Sequence, residues 1–310
     1  MIEVQGLVKR FGATTAVDGL DLAVAAGEVL GVLGPNGAGK TTMINVLATL
    51  LRPDGGSARI VGFDVVKDAH RVRQVIALTG QFAAVDEDLT GAENLALFAG
   101  LQGLNRRAAE ARGSELLEQF GLTDAATQRV KTYSGGMRRR LDLAASIVTI
   151  PKVLFLDEPT TGLDPRSRSA LWQIVRHLRR DGMTIVLTTQ YLEEADVLAD
   201  RIAVIDHGRV IAEGTASQLK ARVVGTACVV SPTDSARLQD AESALAHLGR
   251  TAIDVDGGTI SIASADAATI AAAVEALRLA AIDIDEIGLR RPSLDEVFMT
   301  LTDRTPVGTP

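Results

Sequence analysis

The sequence predicts an α/β fold with a mostly parallel sheet, followed by a small α+β domain. A glycine-rich loop, residues 34–42, separates an apolar strand at 29–33 from a segment with apolar residues at helical spacing. A second apolar strand, at 153–156, ends in two carboxylates. Beyond residue 221 the pattern becomes strand, helix, strand, strand, helix, strand, which is the ferredoxin-like order.

The glycine-rich loop has the spacing of a phosphate-binding site. Its glycines allow backbone N–H groups to converge on an anion, and the helix that follows adds a partial positive charge. In this pattern Lys40 reaches the terminal phosphates and Thr41 offers its hydroxyl to Mg²⁺. The alternative is a glycine-rich turn that binds nothing. The predicted nucleoside triphosphate site consists of Gly34, Pro35, Asn36, Gly37, Ala38, Gly39, Lys40, Thr41 and Thr42.

Two adjacent carboxylates, Asp157 and Glu158, follow the strand at 153–156. In a parallel sheet, ligands bind at the carboxyl ends of the strands, so both acids should lie beside the phosphate loop. Side chains alternate along a strand, which predicts different roles for the two. Asp157 suits the metal ion, and Glu158 suits orientation and deprotonation of an attacking water. The alternative is an acidic pair that only caps a helix.

A helix start at 133–140 predicts a second anion site. Ser134 is an N-cap candidate, and Gly135 and Gly136 leave the backbone N–H groups accessible. Here the chain resembles the ATPase subunits of ABC transporters, because residues 134–136 match the signature motif of that family. Tyr133 and Met137 depart from the motif. The resemblance covers residues 2 to about 220.

The resemblance implies a P-loop NTPase core of the ABC ATPase type, with an antiparallel N-terminal β-subdomain and a helical subdomain at about 82–132. It also implies further contacts. Gln81 matches the Q-loop glutamine, which attends the metal and the nucleotide, and Asp164 matches the D-loop. Phe11 stands where the family has an aromatic that stacks on adenine, although taken alone it could equally be a core residue.

Three phrases, at 133–140, 157–168 and 188–196, are most similar to the daunorubicin/doxorubicin-resistance branch of the family. Most ABC ATPases have a histidine that contacts the γ-phosphate after the strand that follows the D-loop, where this chain has Gln190. Glutamine can donate a hydrogen bond but cannot become cationic. The drug-resistance branch shares this glutamine, which favours a working variant.

Residues 82–132 contain a helix start at Thr90 and a helical pattern over 108–120. In the family this insert meets the membrane subunit. Packing within a helical subdomain is the alternative, and both interpretations can hold for different faces of the helices.

The C-terminal segment predicts a ferredoxin-like accessory domain over 221–303. Its strands are expected at 227–231, 251–256, 259–263 and 282–287, and its helices at 236–248 and 267–279. A capping box that follows Pro292 predicts a last helix, and 304–310 reads as a flexible tail. Acidic residues outnumber basic ones 13 to 7 over 221–310, which argues against nucleic acid. Dimer contact or regulation is the favoured role, and a packing appendage is the alternative.

Composition sets further limits. The net charge of −7 gives no electrostatic footprint for nucleic acid. The lone Cys228 excludes an internal disulfide and a multi-cysteine metal site, and it reads as a small buried hydrophobe. No apolar run reaches the ~18 residues of a membrane span, and no signal segment opens the sequence, so we expect a cytoplasmic protein.

These features predict the ATP-binding and ATP-hydrolysing subunit of an ABC exporter of drugs or lipids. ATP and Mg²⁺ are the expected cofactors, and Lys40, Glu158 and Gln190 are the expected catalytic residues. The resemblance implies a homodimer, in which Ser134 and Gly136 cap the partner's ATP, on a separately encoded membrane permease at the cytoplasmic face of the membrane. The alternatives are a soluble ABC ATPase and a nucleotide-gated regulatory module with weak hydrolysis.

Overall fold

A computed structural model of the chain describes residues 1–80, 84–222, 226–255, 257–263 and 266–290. The chain divides into two compact units, Met1–Ala216 and a second that begins at Ser217. Gln81, the helix predicted after Pro292 and the predicted tail at 304–310 lie outside the described residues. None of the described helices has the length and apolar run that a bilayer span requires.

The first unit alternates strands and helices. Its strands are β1 (Ile2–Phe11), β2 (Thr14–Val24), β3 (Val29–Leu33), β4 (Gly55–Ile60), β5 (Phe63–Asp64), β6 (Ile76–Thr79), β7 (Val153–Asp157), β8 (Thr184–Thr189), β9 (Arg201–Asp206) and β10 (Arg209–Gly214). Its helices are α1 (Lys40–Leu47), α2 (Ala69–Arg73), α3 (Gly91–Leu101), α4 (Arg106–Gln119), α5 (Gly135–Ser146), α6 (Pro165–Arg180) and α7 (Leu192–Leu198), and α8 (Ala216–Arg222) follows.

A six-stranded sheet in the order β10-β9-β3-β8-β7-β6 forms the centre of this unit. All its neighbouring strands are parallel except β9 and β10, which form a hairpin. Every residue of β3, β7 and β8 is buried, because helices or the second sheet cover both faces. The predicted, mostly parallel sheet is therefore confirmed. Its order puts the carboxyl ends of β3, β8 and β7 side by side.

A second sheet, in the order β2-β1-β4-β5, is antiparallel throughout, as expected for the N-terminal part of the chain. Its buried face includes Ile2, Val4 and Leu22, which share one core with Ile44 of α1 and Phe155 of β7. The alternation of buried and exposed residues along β1 and β2 follows from this one-sided packing. This sheet thus covers the face of the central sheet opposite to the face that α6 covers.

The helices α3 and α4 lie in the region predicted to be helical, about 82–132, and α5 follows it. Thr90 and Glu93 close a capping box at the start of α3. The predicted apolar face of α4 is buried in the core, as Leu116 shows, whereas Leu97 and Leu101 on α3 stay exposed. Core packing therefore explains one face of this region and leaves another face open.

The second unit contains β11 (Ala227–Pro232), α9 (Leu238–Leu245), β12 (Thr251–Asp254), β13 (Thr259–Ile262), α10 (Ala267–Leu279) and β14 (Ile284–Arg290). These elements follow the predicted chain order, and they form an antiparallel sheet in the order β12-β13-β11-β14. The helix predicted at 236–248 is interrupted, since 3₁₀ turns flank α9 on both sides. Cys228 is fully buried in the core of this unit, and burial raises the pKa of its thiol.

Candidate functional site

The glycine-rich loop joins the end of β3 to the start of α1. Gly39 is the N-cap of α1 with φ +102°, and a Cβ there would overlap the carbonyl oxygen of Ala16. Both the left-handed backbone and this close approach require glycine. No side chain caps α1, so the first N–H groups of the helix remain available for an anionic ligand. The loop thus has the geometry of a phosphate cradle.

Lys40 lies inside this loop, and its side chain is 4% exposed. Its Nζ donates hydrogen bonds to the carbonyl oxygens of Gly34 (2.7 Å) and Pro35 (3.0 Å) and lies 3.7 Å from Oε1 of Glu158. Burial lowers the pKa of Lys40, while the charges of Glu158 and Asp157 act in the opposite direction. Three contacts therefore fix the position of the ammonium group within the loop.

Asp157, at the end of β7, faces the start of α1. Its Oδ1 accepts hydrogen bonds from Oγ1 of Thr41 (3.2 Å) and from Oγ1 of Thr188 (2.5 Å). A hydroxyl and a carboxylate fit Mg²⁺, which takes one or two protein oxygens and keeps several waters. Within the described ranges, no group of three or more His, Cys, Asp or Glu residues could hold a metal ion. The hydroxyl of Thr41 and the carboxylate of Asp157 fit a magnesium ion that is shared with a phosphate ligand.

Glu158 turns away from the strand, as the alternation along β7 predicts. Its φ of +49° is uncommon for a residue with a side chain. Two hydrogen bonds hold this conformation, because the N–H of Glu158 donates to both the carbonyl oxygen and Oγ1 of Thr188, each at 3.1 Å. Thr161 Oγ1 donates to Glu158 Oε2 at 3.3 Å. The carboxylate therefore points towards Lys40, and the helix that follows is capped by Asp164 instead.

The signature segment begins α5, and its two glycines differ. Ser134 is the predicted N-cap, and its Oγ accepts a hydrogen bond from the N–H of Met137 at 3.2 Å. A Cβ on Gly136 would overlap the side chain of Ser167 on α6, whereas Gly135 is exposed with open space around it. Packing between α5 and α6 thus explains the glycine at 136. Of the two glycines, Gly135 is the one with open space beside it.

The two departures from the motif and the D-loop have structural explanations. Tyr133 is buried, and its hydroxyl donates to the carbonyl oxygen of Ala125 at 2.6 Å, which joins the start of α5 to the helical region. Met137 packs against the same core. Asp164 caps α6 by accepting hydrogen bonds from the N–H (2.9 Å) and Oγ (2.6 Å) of Ser167, and these bonds lower the pKa of Asp164.

Two further predicted ligands, Gln190 and Phe11, each stand at the end of a strand. Gln190 follows β8 directly and is half-buried. Phe11, at the end of β1, is 49% exposed, so it is not a core residue. Lys9 Nζ lies over its ring, 5.5 Å from the centre.

Three residues near the site escaped the sequence analysis. Thr188 donates a hydrogen bond to Asp157 and accepts one from the N–H of Glu158. In the sequence, the feature that could have indicated this role is the threonine pair at the end of a buried strand. Glu194 is fully buried on α7 and accepts a hydrogen bond from Trp172 Nε1 of α6 at 3.2 Å. Burial raises the pKa of Glu194. Arg139 is the third, with a side chain only 11% exposed.

Comparisons with known proteins agree with this geometry. A family model described as ABC transporter matches residues 17–161. The chain is 55% identical to a daunorubicin resistance ATP-binding protein of Streptomyces coeruleorubidus, over 97% of this chain and 95% of that protein. It is 50% identical to a doxorubicin resistance ATP-binding protein of Mycobacterium tuberculosis, over 97% and 93% respectively.

A solved structure of an ATP-binding cassette, a post-hydrolysis dimer with ADP and Pi bound, is similar with a TM-score of 0.63 and 25% identity. The similarity covers 69% of this chain and 98% of that one. The chain therefore belongs to the ABC transporter family, as an ATP-binding ATPase subunit of the daunorubicin/doxorubicin-resistance type.

Proposed function

We propose that the chain hydrolyses Mg²⁺-bound ATP in a homodimer and thereby powers the export of drugs or lipids through a separately encoded membrane permease. The observation that carries the proposal is the position of Lys40 and Glu158. Their charged groups lie 3.7 Å apart at the carboxyl-end edge of the central sheet, where Lys40 follows β3 and Glu158 follows β7, with β8 between these strands. Thr41 and Asp157 lie beside them. Relatives named for daunorubicin and doxorubicin resistance support a drug-like cargo.

Nucleotide binding follows from the loop and its lysine. The free N–H groups at the start of α1 receive the phosphates, and Lys40 orients the terminal ones. Thr41 and Asp157, with Gln81 as a further proposed ligand, would hold Mg²⁺, which when bound neutralises charge on the phosphate oxygens. Phe11 offers its exposed ring to the adenine. Binding thus uses residues from four different segments.

Hydrolysis needs an oriented water and a proton acceptor. The oxygen of the water attacks the γ-phosphorus while Glu158 accepts a proton from the water. The bond from that phosphorus to the bridging oxygen breaks, which gives ADP and phosphate. The two hydrogen bonds from Glu158 N–H to Thr188 fix the backbone that carries this base. Gln190 donates a hydrogen bond to a γ-phosphate oxygen.

A head-to-tail homodimer completes each site. Ser134, Gly135 and Gly136 of one subunit face the ATP bound by the other, and Asp164 lies at the same interface. The open surface around Gly135 supports this role. The similar solved cassette is itself dimeric. Two subunits are therefore needed for each round of closure and reopening.

We propose that the homodimer docks on a membrane permease at the cytoplasmic face, and that closure of the dimer thereby moves the cargo. The exposed Leu97 and Leu101 of α3 support a contact there, since they are one helical turn apart on the open face of the helical region. A soluble ABC ATPase would not co-purify with a polytopic membrane protein. A regulatory module would bind ATP and show almost no turnover.

Glu158→Gln tests the proposal directly. Glutamine keeps the size of the side chain but cannot accept the proton, so hydrolysis should fall by roughly 10²-fold or more while ATP binding persists. The bound ATP should then hold two subunits together, which light scattering measures. Glu110→Gln, an exposed carboxylate of α4, is the matched control and should turn over ATP at the parent rate. A Glu158→Gln protein as fast as the parent would refute the assignment.

A further inference from the structure

Arg139 connects α5 to the backbone of the proposed catalytic segment. Its Nε donates to the carbonyl oxygen of Pro159 (2.8 Å), and its Nη2 lies 3.4 Å from the carbonyl oxygen of Asp157 and 3.5 Å from that of Glu158. Three consecutive carbonyl groups around Glu158 therefore contact one guanidinium. Arg139 touches no side-chain atom of Glu158 in these contacts, so it acts on the position of the peptide.

The same guanidinium reaches β6. Nη1 of Arg139 donates to the carbonyl oxygen of Gly80 at 2.5 Å. Asp142, one turn further along α5, accepts a hydrogen bond from the N–H of Ala84 at 2.7 Å. Its other oxygen lies 3.7 Å from Arg139 Nη1. Both described flanks of Gln81 are thus bound to the Arg139–Asp142 pair.

Burial of one of these charges without the other would lower the stability of the fold. The side chains of Arg139 and Asp142 are 11% and 5% exposed. Burial lowers the pKa of Arg139 and raises that of Asp142, and each charge offsets part of this effect on the other. Apolar residues of similar volume often stabilise a core as well as a buried ion pair does. Specific positioning is therefore a better reason for the pair than stability.

We propose that Arg139 and Asp142 are positioning residues that couple the flanks of Gln81 and the signature helix α5 to the backbone of Glu158. The inference rests on the proposed function, because it assumes that Glu158 acts on the attacking water. A change in the backbone at Gly80 or Ala84 would reach Glu158 through one rigid pair of side chains. Arg139 therefore affects the rate of hydrolysis rather than the affinity for ATP.

The test compares Arg139→Met with Arg112→Met in the full-length chain. Arg112 on α4 is a matched control, because its side chain is 16% exposed and it also donates to backbone carbonyl oxygens, those of Val148 (3.1 Å) and Ile147 (3.2 Å). We expect Arg139→Met to lower kcat by roughly 10-fold or more with KM for ATP within about threefold, as for loss of an interaction that matters only in the transition state. Arg112→Met should keep the parent kcat.

Arg139→Lys distinguishes a loss of positioning from simple misfolding of the protein. Lysine keeps the charge but cannot reach all four carbonyls, so its kcat should lie between those of the parent and Arg139→Met. In the Asp142→Asn/Arg139→Met double variant, the loss of kcat should be smaller than the product of the single losses, since both changes break one pair. A parent without turnover would overturn the proposed function itself. An Arg139→Met protein with the parent kcat, or an equal loss in Arg112→Met, would overturn only the positioning role.

Discussion

Lys40 and Glu158 form a charged pair in a part of the site that is almost closed to water, with side chains 4% and 10% exposed. A buried ion pair is weak evidence for stability, because desolvation offsets most of the attraction. The pair is better explained by preorganisation for a triphosphate. Lys40 already donates to two loop carbonyls, so a phosphate oxygen needs to replace only part of its contacts.

Glu194 gives a pH-dependent prediction at the same scale. Burial raises its pKa above the ordinary value of 4.5, so the folded protein binds this proton more tightly than the unfolded chain does. The contribution of Glu194 to the free energy of unfolding therefore falls as the pH rises from the pKa in the unfolded chain to the pKa in the folded protein. Above the folded-state pKa this contribution stays low. Glu194→Gln removes the charge and keeps an acceptor for Trp172 Nε1.

We expect Glu194→Gln to raise the free energy of unfolding relative to the parent. The difference should grow as the pH rises above the ordinary carboxyl pKa of 4.5 and level off above the raised pKa of the folded protein. Urea unfolding followed by fluorescence measures it, because Trp172 is the one tryptophan of the sequence. Glu193→Gln, at an exposed neighbour on α7, is the control for removing a carboxylate from this helix. A difference that shrinks as the pH rises would contradict the assignment.

At the scale of elements, local sequence and sheet order account for different parts of the site. The loop with Lys40 could be predicted because its residues are adjacent in the chain and share one motif. The strands could be predicted because burial on both faces of a parallel sheet requires apolar runs. The contacts of Thr188 and Arg139 could not, since they depend on which strands are neighbours. The 3₁₀ turns at both ends of α9 were also missed, because the ends of a helix depend on local turns.

The start of α5 separates packing from ligand contact. In Gly136→Ala, a Cβ would overlap Ser167, so α5 and α6 must move apart and stability should fall by about 1–3 kcal/mol. In Gly135→Ala the Cβ meets open space, so the fold should keep its stability or gain slightly. Its methyl group lies on the surface proposed to face the partner's ATP.

Gly135→Ala should therefore fold normally and lose hydrolysis and ATP-dependent dimerisation. Thermal unfolding and light scattering in a Glu158→Gln background measure the two effects separately. Normal turnover in Gly135→Ala would show that this glycine does not face a nucleotide.

For the whole molecule, the proposed dimer makes a distinct prediction about mixed subunits. Lys40 serves the nucleotide bound by its own subunit, and Ser134 serves the nucleotide of the partner. In a heterodimer of Lys40→Ala and Ser134→Arg, both lesions fall in one site and the other site is intact. We expect each variant alone to be inactive and the mixture to regain part of the parent ATPase rate.

Steady-state ATPase at a series of mixing ratios measures this recovery, and a mixture of parent with Lys40→Ala is the control for subunit exchange. Substantial turnover by either variant alone would contradict the shared site. A mixture that remains inactive while subunits exchange would show that one intact site is not sufficient.

The two units also have separate cores among the described residues, with Cys228, Ile260 and Leu277 in the second and none of them in the cores of the first. A compact unit with a core of its own has its own unfolding equilibrium, so one melting temperature does not define this protein. Fluorescence of Trp172 reports the first unit alone. Calorimetry of the full chain should accordingly be fitted with two transitions, and the effect of a substitution assigned to the unit that contains it.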